Sequence, residues 1–203
     1  MERERDRTER IVIKPRIIFT QEAWIKMTAL LATFSTEIAW HGVIQREGDL
    51  FRVTDILVFP QEVTGATVDT DEEAYTAWRE ELPNDVFCGV RMHAHSHVNM
   101  GVTPSSIDRS EWNDRLEQLT SVSNPNRKYY LFMIWNKSLN FYMELYDGVN
   151  MIVYEKNDCI LQIEDCPLQD YLVKARQVVK RKEHTTYGFK EELGLYRPYL
   201  DWE

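Results

Sequence analysis

The hydrophobic period of the chain changes at Glu37. Before it, Ala23, Met27, Leu30, Leu31 and Phe34 recur at helical spacing, which predicts a helix with Thr20 as N-cap that ends near Ser35–Thr36. After it, Ile38–Ile44 and Leu50–Phe59 read as two strands joined by a turn at Glu47-Gly48-Asp49, and Pro60 stops the second. Ile11–Phe19 predicts a short strand ahead of the helix. Val86–Met92 predicts a third strand running into His93-Ala-His-Ser-His97, and Tyr129–Trp135 with Asn140–Tyr146 a hairpin around Asn136-Lys137-Ser138. Met151–Tyr154 starts a further strand. Residues 61–70 read as a loop and Asp71–Leu82 as a helix with acids in its first turn, where the helix dipole favours them. Thr103-Pro104 has the pattern of an N-cap followed by proline at the first helical position, opening a helix to about Leu119. Strands mixed with helices in this way predict an α/β or α+β sandwich.

Composition narrows the function classes. Of 203 residues, 43% are hydrophobic, enough for a buried core and incompatible with disorder throughout. With 24 Lys and Arg against 33 Asp and Glu, the net charge of −9 excludes a broadly basic nucleic-acid binder, so no nucleic-acid partner is expected. Cys88, Cys159 and Cys166 form neither an even set nor a C-x-x-C pair, which predicts free thiols in a reducing compartment. Met1–Arg10 alternates acid and base without an apolar signal region and reads as a frayed lead-in. No apolar run approaches the roughly 18 residues of a membrane span. A cytoplasmic protein without membrane association is the expectation.

Residues 11–160 read as one domain, and 167–203 as a helical, aromatic-rich C-terminal extension. Leu168, Tyr171, Leu172, Ala175, Val178 and Val179 mark an amphipathic helix opened by Pro167 and closed by Lys180-Arg181-Lys182. Tyr187, Phe189, Tyr196, Tyr199 and Trp202 follow. Packing of this extension on its own domain is the simpler expectation; self-association or docking of a partner is the alternative.

The chemistry-bearing segment is His95-Ser-His97, followed after seven residues by Ser105-Ser-Ile-Asp108. On an extended chain, residues i and i+2 point the same way, so the two imidazoles can aim at one point. Asp108 can add an anionic ligand from the first turn of the next helix. Two histidines, one carboxylate and an open fourth position suit a catalytic zinc. Each piece alone is weak, since H-x-H pairs are common near strand ends and Ser105-x-x-Asp108 is also a helix capping box. Glu37, at a helix-to-strand junction, is a candidate general base. His93 shares strand parity with His95 and His97, so a three-histidine site is the alternative ligand set; otherwise His93 supports the ligands or is simply packed. His41 reads as structural, His184 as exposed and Cys88 as a buried strand residue.

Glu37 followed by His95-x-His97-x7-Ser105-x-x-Asp108 reproduces the signature of the JAMM metalloproteases, also called JAB or MPN+ domains, and the chain resembles that family over roughly residues 15–155. Glu37-Ile-Ala-Trp-His-Gly42 and Phe59-Pro60-Gln61 add to the likeness. Ala94 stands where an aromatic is usual and Val98 where proline is usual, and the Val98–Gly101 loop is more similar to phage or prophage members. The resemblance implies an α/β/α sandwich with a curved mixed sheet flanked by helices, of the cytidine-deaminase-like type. It implies Zn²⁺ held by His95, His97 and Asp108, with Glu37 as general base and Ser105 as oxyanion donor. The implied activity is hydrolysis of a peptide or isopeptide bond, at the C-terminus of a ubiquitin-like protein. Alternatives are a phage peptidase acting in tail assembly or on cell-wall peptide, and a noncatalytic MPN assembly scaffold.

Overall fold

The computed structural model describes residues 14–64, 68–166 and 168–178. The chain divides into two compact units, Met1–Cys166 and Pro167–Glu203. In the first, β1 (Arg16–Phe19) leads into α1 (Gln21–Thr33), whose N-cap Thr20 accepts from the Ala23 N–H as the sequence predicts. The hairpin β2 (Ala39–Glu47) and β3 (Leu50–Leu57) follows, turning at Gly48, whose φ of +61° suits glycine. The expected loop contains a small antiparallel pair, β4 (Glu62–Val63) and β5 (Val68–Asp69). Then come α2 (Glu72–Glu81), capped by Asp71, α3 (Asn84–Gly89), β6 (Val90–Ser96) and α4 (Ser106–Thr120). The strands β7 (Tyr129–Trp135), β8 (Phe141–Asp147), β9 (Ile152–Glu155) and β10 (Ile160–Ile163) complete the unit.

Eight strands form one mixed sheet in the order β10-β1-β3-β2-β6-β7-β8-β9. β1 lies parallel to both β10 and β3, and β6 lies parallel to β7, while the remaining pairs are antiparallel. The architecture is therefore mixed α/β. Ala23, Met27 and Leu31 of α1 pack against Trp40, Ala94, Met133 and Trp135 on one face. Trp112 and Leu119 of α4 pack on Tyr130, Phe132 and Ile134, which have the opposite parity on β7 and so face the other way. At Gly42 an added Cβ would lie 2.7 Å from Met92 Sδ, so the close approach of β2 to β6 needs glycine there.

Three local expectations are corrected. Val86–Gly89 is helical rather than extended. Pro83 starts that turn with φ −52° and its carbonyl accepts from the Phe87 N–H, so the strand begins only at Val90. Cys88 is accordingly a half-buried helical residue, not a buried strand residue. The N-cap of α4 is Ser105, not Thr103, because Ser105 and Asp108 form a reciprocal capping box that Thr103 could not make.

In the second unit, Leu168–Val178 forms α5, with Tyr171, Val173 and Val178 exposed. Residues 1–10, Val179 to Lys182, His184 and the later aromatics lie outside the described residues. No helix among the described residues is long and apolar enough to cross a membrane.

Candidate metal centre

Strand register brings the site together. Ala39 pairs with His95 and His41 with His93, so the end of β6 lies beside the start of β2. The Ser96 N–H donates to the Ile38 carbonyl and the His97 N–H to that of Trp135, which carries the hydrogen bonding past His95 by one residue on the β2 side and by two on the β7 side. His97 then leaves the sheet through a turn in which Val98 adopts φ 48°. A β-branched residue in the left-handed region is strained, at a cost of about 1–3 kcal/mol. The Gly101 carbonyl closes that turn by accepting from His97 Nδ1 at 2.7 Å. A carbonyl only accepts, so the proton sits on Nδ1 and the Nε2 lone pair is left free to bind a metal.

The capping box aims Asp108. Its Oδ2 accepts from the Ser105 N–H at 2.5 Å, and its own N–H donates to Ser105 Oγ at 3.2 Å. Its Oδ1 lies 3.2 Å from His95 Nε2 and its Oδ2 4.0 Å from His97 Nε2. One ligand atom each from His95, His97 and Asp108 lie within 4.8 Å of one another, and no other such group occurs among the described residues. Tetrahedral ligands on zinc stand about 3.3 Å apart, as bond lengths near 2.0–2.2 Å require. The donor set fits a metal ion.

Glu37 reaches the same cleft. It precedes β2, is 7% exposed, and its N–H donates to the Thr64 carbonyl at 3.2 Å. Gln61 holds the adjoining chain like an extra strand: its Oε1 accepts from the Ala39 N–H and its Nε2 donates to the Ala39 carbonyl, both at 2.8 Å. Glu37, His93, His95, His97, Ser105 and Asp108 line one cleft of about 390 Å³, with Val68, Asp69 and Thr70 on another wall. Burial raises the Glu37 carboxyl above its ordinary range, partly offset by His97 and reinforced by Asp108. Burial also pushes His95 down to about 4, against the pull of Asp108 and helped by His97, so its ring is neutral and able to ligate.

The other histidines take different places. His93 is buried and its Nε2 lies 3.9 Å from Glu111 Oε2; it lines the cleft but is not one of the converging ligands. His41 is fully buried, stacks on Phe59 and contacts the Tyr75 hydroxyl at 2.8 Å, and burial holds it down at about 3. Glu111 and Arg115 also line the cleft and were not singled out from sequence. Their signal was the spacing Asp108, Glu111, Arg115, one face of α4 continuing from the ligand at i+3 and i+7.

Compared with protein-family models and with curated proteins, the chain matches none.

Proposed function

We propose that the protein is a zinc-dependent metallopeptidase or isopeptidase of the JAMM type. One observation carries the proposal: His95, His97 and Asp108 converge at an open cleft that a buried carboxylate, Glu37, also lines. The MPN form of the fold is part of the same reading, supported by helices packed on both faces of a mixed sheet.

His95, His97 and Asp108 would hold the zinc ion, which when bound would supply Lewis acidity and make water in the cleft more acidic. Glu37, kept basic by burial, accepts the proton of the attacking water and returns it to the leaving amine. Ser105 Oγ accepts from the Asp108 N–H, so its own hydroxyl proton is free to donate to the oxygen that gains charge. The β4–β5 pair beside the cleft supports an extended substrate bound as an added strand, as the C-terminal tail of a ubiquitin-like protein would be.

Glu37→Gln preserves size and removes the proton acceptor. On a panel of ubiquitin-like proteins fused to a reporter through their C-termini, the variant should keep its metal and lose about 10²–10⁴-fold in turnover. Near-normal cleavage by Glu37→Gln removes this residue from the mechanism, and no cleavage of any fusion by the wild type removes the proposed substrate class.

A further inference from the structure

β6 and β7 run parallel and end side by side, Ser96 opposite Trp135, so the segments that leave them start together. One is the loop His97–Gly101, which carries a candidate ligand; the other is the β7–β8 turn at Asn136-Lys137-Ser138. Hydrogen bonds join the two. The His97 N–H donates to the Trp135 carbonyl at 2.8 Å and the Lys137 N–H to the Val98 carbonyl at 2.7 Å. Asn136 Nδ2 donates to the Met100 carbonyl at 3.1 Å.

Asn136 is the side chain at this junction, and it is only 8% exposed. Its Oδ1 accepts from the Ser138 and Asn140 N–H groups, both at 3.1 Å. The two ends of the amide cannot be exchanged, since a backbone N–H only donates and a carbonyl only accepts. The oxygen therefore shapes the turn, and the nitrogen reaches across to the loop.

The loop needs that hold. Val98 sits at φ 48°, which a β-branched residue leaves unless its surroundings keep it there. A Cβ built on Gly101 would meet nothing within 4 Å, so packing does not fix that residue. Yet the Gly101 carbonyl accepts the Nδ1 proton of His97 and so leaves Nε2 for a metal. The Met100 carbonyl belongs to the planar peptide that runs into Gly101. Fixing it makes the chain enter this permissive glycine in one orientation.

We infer that Asn136 is a positioning residue for the metal centre: through Met100, its amide keeps the Gly101 carbonyl on His97 and so sets the aim of that ligand. This rests on the reading of His95, His97 and Asp108 as metal ligands. Losing a group that hydrogen-bonds a ligand typically costs about 10–100-fold in metal affinity. Asn136 stands one step further out, so the lower end of that range is expected.

Asn136→Asp is nearly isosteric and separates the two ends of the amide. It keeps an acceptor for the turn but puts an oxygen against the Met100 carbonyl where a donor was. Its added negative charge would by itself draw a cation in, so weaker binding cannot come from charge. In the full chain, zinc affinity is read by competition with a chromophoric chelator. Exchange of the His97 Nδ1 proton with solvent is followed by NMR on the same protein as purified. Asn136→Asp should bind zinc about ten-fold more weakly and exchange that proton about ten-fold faster or more. Arg46→Ala, which loosens the sheet at its other end, should leave both readings at their wild-type values. Equal affinity and equal exchange in Asn136→Asp and the wild type overturn the inference, and so does an equal loss in Arg46→Ala, which would make the effect one of general stability. If Asn136→Asp does not fold, Asn136→Ala is read in the same two ways against Arg46→Ala. Faster exchange in Asn136→Asp of a protein whose wild type binds no zinc removes the metal reading but keeps the hold of Asn136 on His97. Zinc bound equally well by both forms removes Asn136 alone.

Discussion

Ser105 holds two roles that a single substitution confuses and a pair of substitutions separates. Its Oγ caps α4 by accepting from the Asp108 N–H, while its proton points to no partner in the capping box and is free for the cleft. Ser105→Ala should cost about 1 kcal/mol of stability, because the first turn of α4 loses an acceptor. Ser105→Gly should cost only a few tenths, since glycine leaves the cap open to water. Both remove the hydroxyl, so both should lower turnover by about 10²–10³-fold. Urea titrations and initial rates on the two variants check this; turnover that follows stability instead would make Ser105 a cap and nothing more.

Among the elements, the far end of the sheet is fastened by a buried ion pair. Arg46, at the end of β2, meets Asp147, at the end of β8, through two hydrogen bonds of 2.8 Å, with side chains 8% and 2% exposed. Two strands, β6 and β7, lie between them in the sheet, so the pair braces elements that do not touch through the ladder. Burial alone would raise the Asp147 pKa, but hydrogen bonds from Arg46, Asn150 and the Val149 N–H outweigh it and hold the carboxyl below its ordinary range. A depressed pKa adds stability that is present above the unfolded value, near 3.9, and is lost as pH falls through the folded one. Arg46→Ala leaves the carboxylate buried and unpaired and should cost about 3–5 kcal/mol at pH 7. The deficit should shrink toward pH 3 as Asp147 protonates in the variant; a difference independent of pH contradicts this role.

Most of the elements were legible in the sequence because their periods were unambiguous: α1 by its apolar stripe, β2 and β3 by the turn at Gly48, β7 and β8 by the Asn136–Ser138 turn. The candidate ligands were legible because chemistry and spacing coincide in His95, His97 and Asp108. What escaped has local physical reasons. Val86–Gly89 is apolar enough to read as a strand, but Pro83 and a single helical turn decide its conformation. β10 is four residues of which two are exposed, so its place beside β1 depends on a long-range parallel pairing with no local period. Arg115 escaped because an arginine on a helix reads as solvated until its neighbours are known.

On the scale of the whole molecule, every residue assigned to the cleft belongs to the unit that ends at Cys166. A chain ending at Asp165 should therefore fold and bind zinc with unchanged stoichiometry. Its sedimentation, compared with the full chain, reports whether residues 168–203 mediate assembly. Loss of zinc from a folded, shortened chain would assign the extension to the site.

The metal itself is the most direct test of the account. Elemental analysis of the purified protein should give one zinc per chain, falling sharply in His95→Ala and Asp108→Ala and staying full in His93→Ala, because the first two remove converging ligands and the third does not. Full zinc in Asp108→Ala together with loss in His93→Ala would contradict the account and hand the site to three histidines.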